Sequence, residues 1–558
     1  MRLRLKAAAL ILAPALAVAG TLPASAQAPG APLVTTTSGA FLAAQAAAAQ
    51  NDIEAAAWYY SFVLQRDPAN TQLASLVFSM WLDIGNIAAA APIAGGLVEI
   101  DPTYEPARLV LATQAIRTAQ FEAARTHLDA IEGDPIATLA VGLVNGWVDF
   151  GLGDPEAALV RIDALSGEPW YEPFKIYHSA LIADAAGLTD RALALAEVSY
   201  SIDQSLGPTE LLASLLARTG DVARATEVLN AFLAEVPDQP LALARLRAIE
   251  AGDFGGPIVA DARGGAGQVF YDLATAIGDD GGQTTVPFLQ LARRLLPDSS
   301  LTALALGDLL QNLDRQLEAI NAFDTIDVDD PLYPLAATSA ATSEAILGQI
   351  DDAIARLTPI AAADPTDPVI ALALGNLYRS QERFAETIEA VAPAIDAEAD
   401  PSPSYWRLYF VRAIGYEREG EFDLAVADFR RALELAPDHP DVLNYLGYSW
   451  IDRGENTEEA LAMIQRAVEQ QPEAGYIVDS LGWAYYKLGD YELAVETLER
   501  AVELTPNNPE IFDHLGDAYW RVGRRIEAAY QWNHALIFDP TDEQRARIAD
   551  KLLNGLPD

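Results

Sequence analysis

Three consecutive stretches near the C-terminus decide the fold. Residues 446–472 read LGYSWIDRGENTEEALAMIQRAVEQQP, residues 481–506 read LGWAYYKLGDYELAVETLERAVELTP, and residues 515–540 read LGDAYWRVGRRIEAAYQWNHALIFDP. Their closing prolines, with Pro437 before them, stand 35, 34 and 34 residues apart. A period of that length is the mark of a helical hairpin stacked on copies of itself. The first half of each stretch carries Leu-Gly and then an aromatic (Leu446, Gly447, Trp450; Leu481, Gly482, Tyr485; Leu515, Gly516, Tyr519), which fall on one side of a helix. A second glycine (Gly454, Gly489, Gly523) ends that helix where a left-handed residue is needed. In the second half, alanines (Ala460 and Ala467, Ala494 and Ala501, Ala528 and Ala535) flank a large residue (Ile464, Leu498, Trp532), so small faces large where the two helices interlock. Proline then stops the second helix.

These positions resemble the tetratricopeptide repeat. A small residue at the eighth place, an aromatic at the eleventh, glycine at the fifteenth, alanine at the twentieth and twenty-seventh and proline at the thirty-second all recur in the repeats that begin at Gly475 and Pro509. The repeat from Pro440 has one extra residue near Asn456. The resemblance implies an all-α fold, a right-handed superhelical solenoid of stacked antiparallel helix hairpins. It also implies a concave wall lined by first-helix residues at the second, fifth, ninth, twelfth and thirteenth places. In the repeat from Pro440 these are Asp441, Asn444, Tyr448, Ile451 and Asp452; in the next, Tyr476, Asp479, Trp483, Tyr486 and Lys487; in the last, Glu510, Asp513, Asp517, Trp520 and Arg521. Of these, Asn444, Tyr448, Tyr476, Asp479, Trp483, Tyr486, Asp513, Asp517, Trp520 and Arg521 form the expected peptide-binding groove. Aromatics interleaved with carboxylates suit an extended peptide with apolar and basic side chains. The alternative is that Trp483, Tyr486 and Trp520 only pack against the adjacent repeat.

Working outward, the repeat phase continues with weaker letters. Pro297, Pro331 and Pro365 are 34 residues apart, as are Pro68 and Pro102. The expected layout is a degenerate helical array over 37–251, a Gly-rich break over 252–268, further repeats over 269–405, well-formed repeats over 406–540 and a closing helix over 541–558. About 14 hairpins fit this length. The break, GDFGGPIVADARGGAGQ, has six glycines and is read as non-helical, either a hinge or binding loop or a tolerated insertion. In the tail, Thr541 and Gln544 have capping-box spacing, with Ile548, Leu552 and Leu553 as the apolar side.

The N-terminus has Arg2, Arg4 and Lys6 ahead of an apolar run and an Ala24-Ser25-Ala26 site. That pattern predicts a secretory signal over 1–26, cleaved after Ala26, then a flexible leader over 27–36 and a periplasmic or secreted chain with no transmembrane segment. The 558 residues contain no cysteine, so disulfides, thiolate metal sites, a cysteine nucleophile and lipoprotein attachment are excluded. Net charge is −44 and falls to −47 without the signal's three basic residues; nucleic acid is a poor partner for such a surface. The five histidines form no HExxH pair, and no G-x-S-x-G elbow occurs. No catalytic residue, cofactor or metal is therefore expected.

The resemblance implies a non-catalytic scaffold or adaptor for one or more proteins. The run from Leu446 is similar to exported members that bring substrates to a carboxyl-terminal processing protease during cell-wall remodelling, so an envelope protease or wall hydrolase is the candidate partner. Those members are lipoproteins, a departure set by the missing cysteine. A component of polysaccharide or lipid export, or an enzyme built at the Gly-rich break, are the alternatives. The family's carboxylate clamp needs Lys, Arg and Asn at wall positions, and only Asn444 fits.

Overall fold

The structure, a computed structural model, describes residues 36–50 and 52–557; the expected signal and its cleavage point lie outside them. Thr36, the last residue of the expected leader, accepts a hydrogen bond from Gly39 N at 3.1 Å and starts the first helix. Among the described residues there are thirty α-helices, two short 3-10 segments and no strand. The chain divides into two compact units, 1–348 and 349–558, and the division falls at Gly348 rather than in the Gly-rich stretch.

Each unit is a stack of antiparallel helix pairs. The interlock is visible at Gly482, where an added Cβ would sit 2.5 Å from Leu498 Cγ, with Ala494 and Ala501 fully buried on either side of Leu498. The turn between paired helices keeps a left-handed residue even where glycine is missing. Ala119 (φ 56°), Asp314 (φ 59°) and Glu382 (φ 56°) stand where Gly489 (φ 88°) stands in the well-formed repeats. The turn geometry thus outlasts the letter, at a steric cost of about 1 kcal/mol per residue. Asn456, also left-handed, takes up the extra residue of its repeat.

The N-terminal unit departs from a stack in which each hairpin meets only its neighbours. The Gly-rich stretch is helical from Ala262, in a helix that runs to Ile277. It pairs with Val286–Leu295, and the pair crosses back over the first helices of earlier hairpins: Thr71–Asp83, Glu105–Arg117, Pro135–Gly151 and Tyr171–Ala185. Gln290 Nε2 donates to Asp83 O at 2.9 Å, Arg294 Nε to Gln114 Oε1 at 3.2 Å, and Arg315 pairs with Asp83 at 2.8 Å. The glycines serve this crossing. A Cβ on Gly265 would overlap the fully buried indole of Trp147, and one on Gly267 would press on Leu296. Helix propensity argued against a helix here; close approach between helices overrides it.

Gly265→Ala is accordingly expected to destabilise the N-terminal unit by about 1–3 kcal/mol through overpacking, although the same change in an uncrowded helix stabilises by about 1 kcal/mol. Chemical denaturation of the variant reads the sign.

Candidate functional site

The wall expected from the sequence lies in the C-terminal unit. Helices Pro440–Arg453, Gly475–Leu488 and Pro509–Arg521 touch one another in succession. Each opens with Pro or Gly in its first turn, and Asn508 caps the third through Glu510 N at 2.9 Å. The wall residues are not equivalent. Tyr476 is exposed; Tyr448, Trp483, Tyr486, Trp520 and Arg521 are half-buried; Asn444, Asp479, Asp513 and Asp517 are buried. Ile451, expected on the wall, belongs to the core instead, 1% exposed.

At the last repeat the chain covers its own wall. The closing helix Asp542–Asn554 starts with the expected capping box, Thr541 with Gln544, and buries Ile548 while Leu553 points to solvent. From it Lys551 Nζ reaches Asp513 Oδ1 at 2.8 Å and Asp517 Oδ1 at 2.7 Å, and Arg547 pairs with Asp513 at 3.0 Å. Asp517 also accepts from Trp532 Nε1 at 3.0 Å. Burial still holds the Asp517 carboxyl above the usual range, with Lys551 pulling the other way. Trp520 packs on Trp532, with ring centroids 5.5 Å apart, and under Gly555, while Arg521 donates to Pro557 O at 2.8 Å. Asp513, Asp517, Trp520 and Arg521, expected to meet a peptide, are thus engaged by this chain's own tail.

Between the middle and last repeats the aromatics form a stack. Trp483 lies 4.1 Å from His514 and 4.8 Å from Tyr486, centroid to centroid, at interplanar angles of 17° and 9°. His514 Nδ1 lies 3.0 Å from Asp479 Oδ1. Burial by itself would lower the His514 pKa, but the Asp479 carboxylate outweighs it and the net shift is upward. Trp483 and Tyr486 therefore contribute to packing between repeats, the second of the two roles open to them.

The uncommitted part of the wall surrounds Tyr448 and Tyr476. Burial raises the Tyr448 hydroxyl pKa, and the charges of Glu510, Asp479 and Asp452 add to it, with Arg547 the opposing influence. Tyr476 Oη donates to Asp441 Oδ1 at 2.6 Å, and burial with that contact pushes its pKa up to about 12. Asn444 Oδ1 and Trp483 Nε1 are buried and have no hydrogen-bond partner among the described residues. The sequence reading overlooked Arg547 and Lys551. Their spacing of four puts both on one side of the closing helix, opposite an acidic wall, and that was the available signal.

Family models fit this region. Models described as tetratricopeptide repeats match residues 345–409 and 410–475, and one described as a TPR repeat matches 482–523. These segments carry tetratricopeptide repeats. Among curated proteins, TPR repeat-containing protein YpiA of Bacillus subtilis is 22% identical over 232 residues, 42% of this chain and 52% of that protein. A TPR repeat-containing protein of Pseudomonas aeruginosa is 28% identical over 142 residues, 25% of this chain and 24% of its own length. The chain spans about half the first relative and about a quarter of the second. Solved structures that resemble it include the Cut9–Hcn1 hetero-tetramer of the APC/C, with TM-score 0.40, 14% identity and coverage of 94% of this chain and 97% of that one. A tetratricopeptide repeat protein from Parabacteroides merdae has TM-score 0.39, 13% identity and coverage of 46% and 99%. Among the described residues no cluster of three or more His, Asp or Glu is placed to hold a metal ion, and no helix is long and apolar enough to cross a membrane. Repeats of this type imply protein–protein interaction.

Lys551→Met should cost about 3 kcal/mol or more, because it takes the shared cation from two buried carboxylates; thermal or urea unfolding measures the loss. The raised His514 pKa adds stability that is complete below about pH 6.5, the unfolded value, and disappears as pH climbs through the higher folded value. The unfolding midpoint of wild type should therefore fall over that interval, and His514→Asn should flatten the fall.

Proposed function

We propose that the protein is an exported, non-catalytic scaffold that holds a basic, extended segment of a partner protein against the inner wall of its C-terminal repeats. The observation that carries this reading is the pair of tyrosines left open on that wall, the exposed Tyr476 and the half-buried Tyr448, with the charges of Glu510, Asp479 and Asp452 acting on the latter. Tyrosine rings offer a partner segment a large contact area at little cost in side-chain entropy. Carboxylates around Tyr448 favour lysine or arginine on that segment and oppose acidic ones. A net charge of −44 extends the same preference to the approach of the partner.

Export rests on the leader pattern at residues 1–26, and the cell envelope follows from it. Within the envelope, the resemblance of the Leu446–Arg524 run to adaptors of carboxyl-terminal processing proteases makes such a protease or a wall hydrolase the first partner to test. The tail restricts the site. Since Lys551 and Arg547 already neutralise Asp513 and Asp517, the site proposed lies on the first two of the three repeats.

Affinity capture from an envelope extract, read by mass spectrometry, should enrich such a partner with wild type and lose it with Tyr448→Ala combined with Tyr476→Ala, at unchanged helicity. Identical capture by both proteins would remove the wall from the interaction. Trp520→Ala, by contrast, should lower the unfolding midpoint, because its ring carries the closing helix.

A further inference from the structure

The crossing of Ala262–Ile277 over the N-terminal unit leaves a cavity of about 460 Å3 that the scaffold role does not use. It is bounded by Tyr171–Ala185, by the end of Thr189–Ile202, by the start of Leu206–Thr219 and by the crossing helix itself. Every one of these elements lies within the N-terminal unit.

The cavity's charged lining is all of one sign: Asp203, Glu210 and Asp272. Two of the three are engaged. Asp203 accepts from Ser205 N and Ser205 Oγ, both at 2.9 Å, and Asp272 Oδ1 accepts from Gln268 Nε2 at 2.8 Å, while its Oδ2 lies 3.2 Å from His178 Nε2 without a hydrogen bond between them. His178 is fully buried, and Trp147 Nε1 donates to its Nδ1 at 3.2 Å, which places the ring proton on Nε2, towards Asp272. Glu210 receives no hydrogen bond among the described residues, and burial raises its pKa, with Arg245 the opposing influence.

Two neutral side chains in the lining are also without partners. Tyr177 is 8% exposed and Ser199 is 2% exposed, and among the described residues neither hydroxyl has a hydrogen-bond partner. Burial is the main influence that raises the Tyr177 hydroxyl pKa, and the charges of Asp272, Glu210, Tyr271 and Asp203 add to it. Gly207 makes room for the hydroxyl, since a Cβ there would stand 2.9 Å from Tyr177 Oη. Tyr177 and Ser199 line the same acidic cavity, where an occupant can pair with their hydroxyls. The lining also has an apolar part, with Phe174, Leu206, Ile258 and Leu301, beside the polar Gln268, Tyr271 and Thr275.

We propose that this cavity binds a guanidinium or ammonium group carried on a slender apolar stem. The cation sits against Glu210 with the Tyr177 and Ser199 hydroxyls accepting from it, and the stem lies on Phe174 and Leu206. An anion is opposed by all three carboxylates, and a neutral ligand gains nothing from them. Two sources share this chemistry, a free amine and an arginine or lysine side chain of a peptide. The site belongs to the N-terminal unit and does not depend on the wall of the C-terminal repeats.

Titration calorimetry with the full chain, using agmatine in one arm and the tripeptide amide acetyl-Gly-Arg-Gly in the other, tests the proposal. Saturable one-site binding of agmatine identifies a free amine as sufficient; binding of the tripeptide alone identifies a side chain in a peptide. Either supports the site, provided that Glu210→Gln weakens it by about ten-fold or more, the loss expected for a charged hydrogen bond, and that Tyr448→Ala leaves it unchanged. Ala276→Trp, on the exposed rim, fills the cavity without entering the core and should abolish binding, which keeps the test open if Glu210→Gln fails to fold. Absence of saturable binding in both arms, or undiminished binding to a folded Glu210→Gln or Ala276→Trp variant, overturns the proposal.

Discussion

A helix pair of this kind cannot bury its own apolar stripe, and everything else in the structure answers to that constraint. Within the pair, Gly482 and Ala494 let the helices approach closely enough to bury Leu498 completely. Between pairs, Trp483 lies on His514 and ties one repeat to the next. Contacts of this sort are additive along the C-terminal repeats, where each pair needs only its neighbours. The left-handed turn is part of the same device, and Ala119 and Glu382 show that the device tolerates a poor residue provided the packing on either side is intact.

The constraint is strictest on the inner wall, and the chain covers that wall with itself in both units. In the N-terminal unit the cover is apolar. Pro135–Gly151 has almost no solvent-facing side, and the crossing helix presses Gly265 onto Trp147. At the C-terminus the cover is ionic, with Lys551 and Arg547 laid over Asp513 and Asp517. Both covers work by complementing what lies beneath, glycine over an indole in one and cations over carboxylates in the other. What remains uncovered is the Tyr448–Tyr476 surface and the acidic cavity beside Tyr177. That is why binding is assigned to these two places.

The hairpins were legible in the sequence because their determinants are local. A glycine at a turn, an alanine at a crossing and a proline at a stop act within some thirty residues, and the period repeats them until they cannot be missed. The site was less legible. Asp513 and Trp520 have the residue types of a peptide groove, and nothing near them in sequence reveals that Lys551 and Gly555 will lie on top. For the crossing helix the sequence did hold a sign, an N-terminal first helix such as PIATLAVGLVNGWVDFG that is apolar on every side and so has no face to give to solvent.

The sequence alone thus determined the class of fold, the length and phase of its unit, the absence of thiol chemistry and the sign of its surface. Tertiary structure alone decided that a glycine-rich stretch becomes a helix, because only contact with Trp147 gives those glycines a reason to be helical. It also decided which wall residues are free, because covering a surface is a relation between segments as much as 207 residues apart, as with Gln290 and Asp83. Periodicity describes a residue's own neighbourhood and carries no information about what arrives later to lie against it.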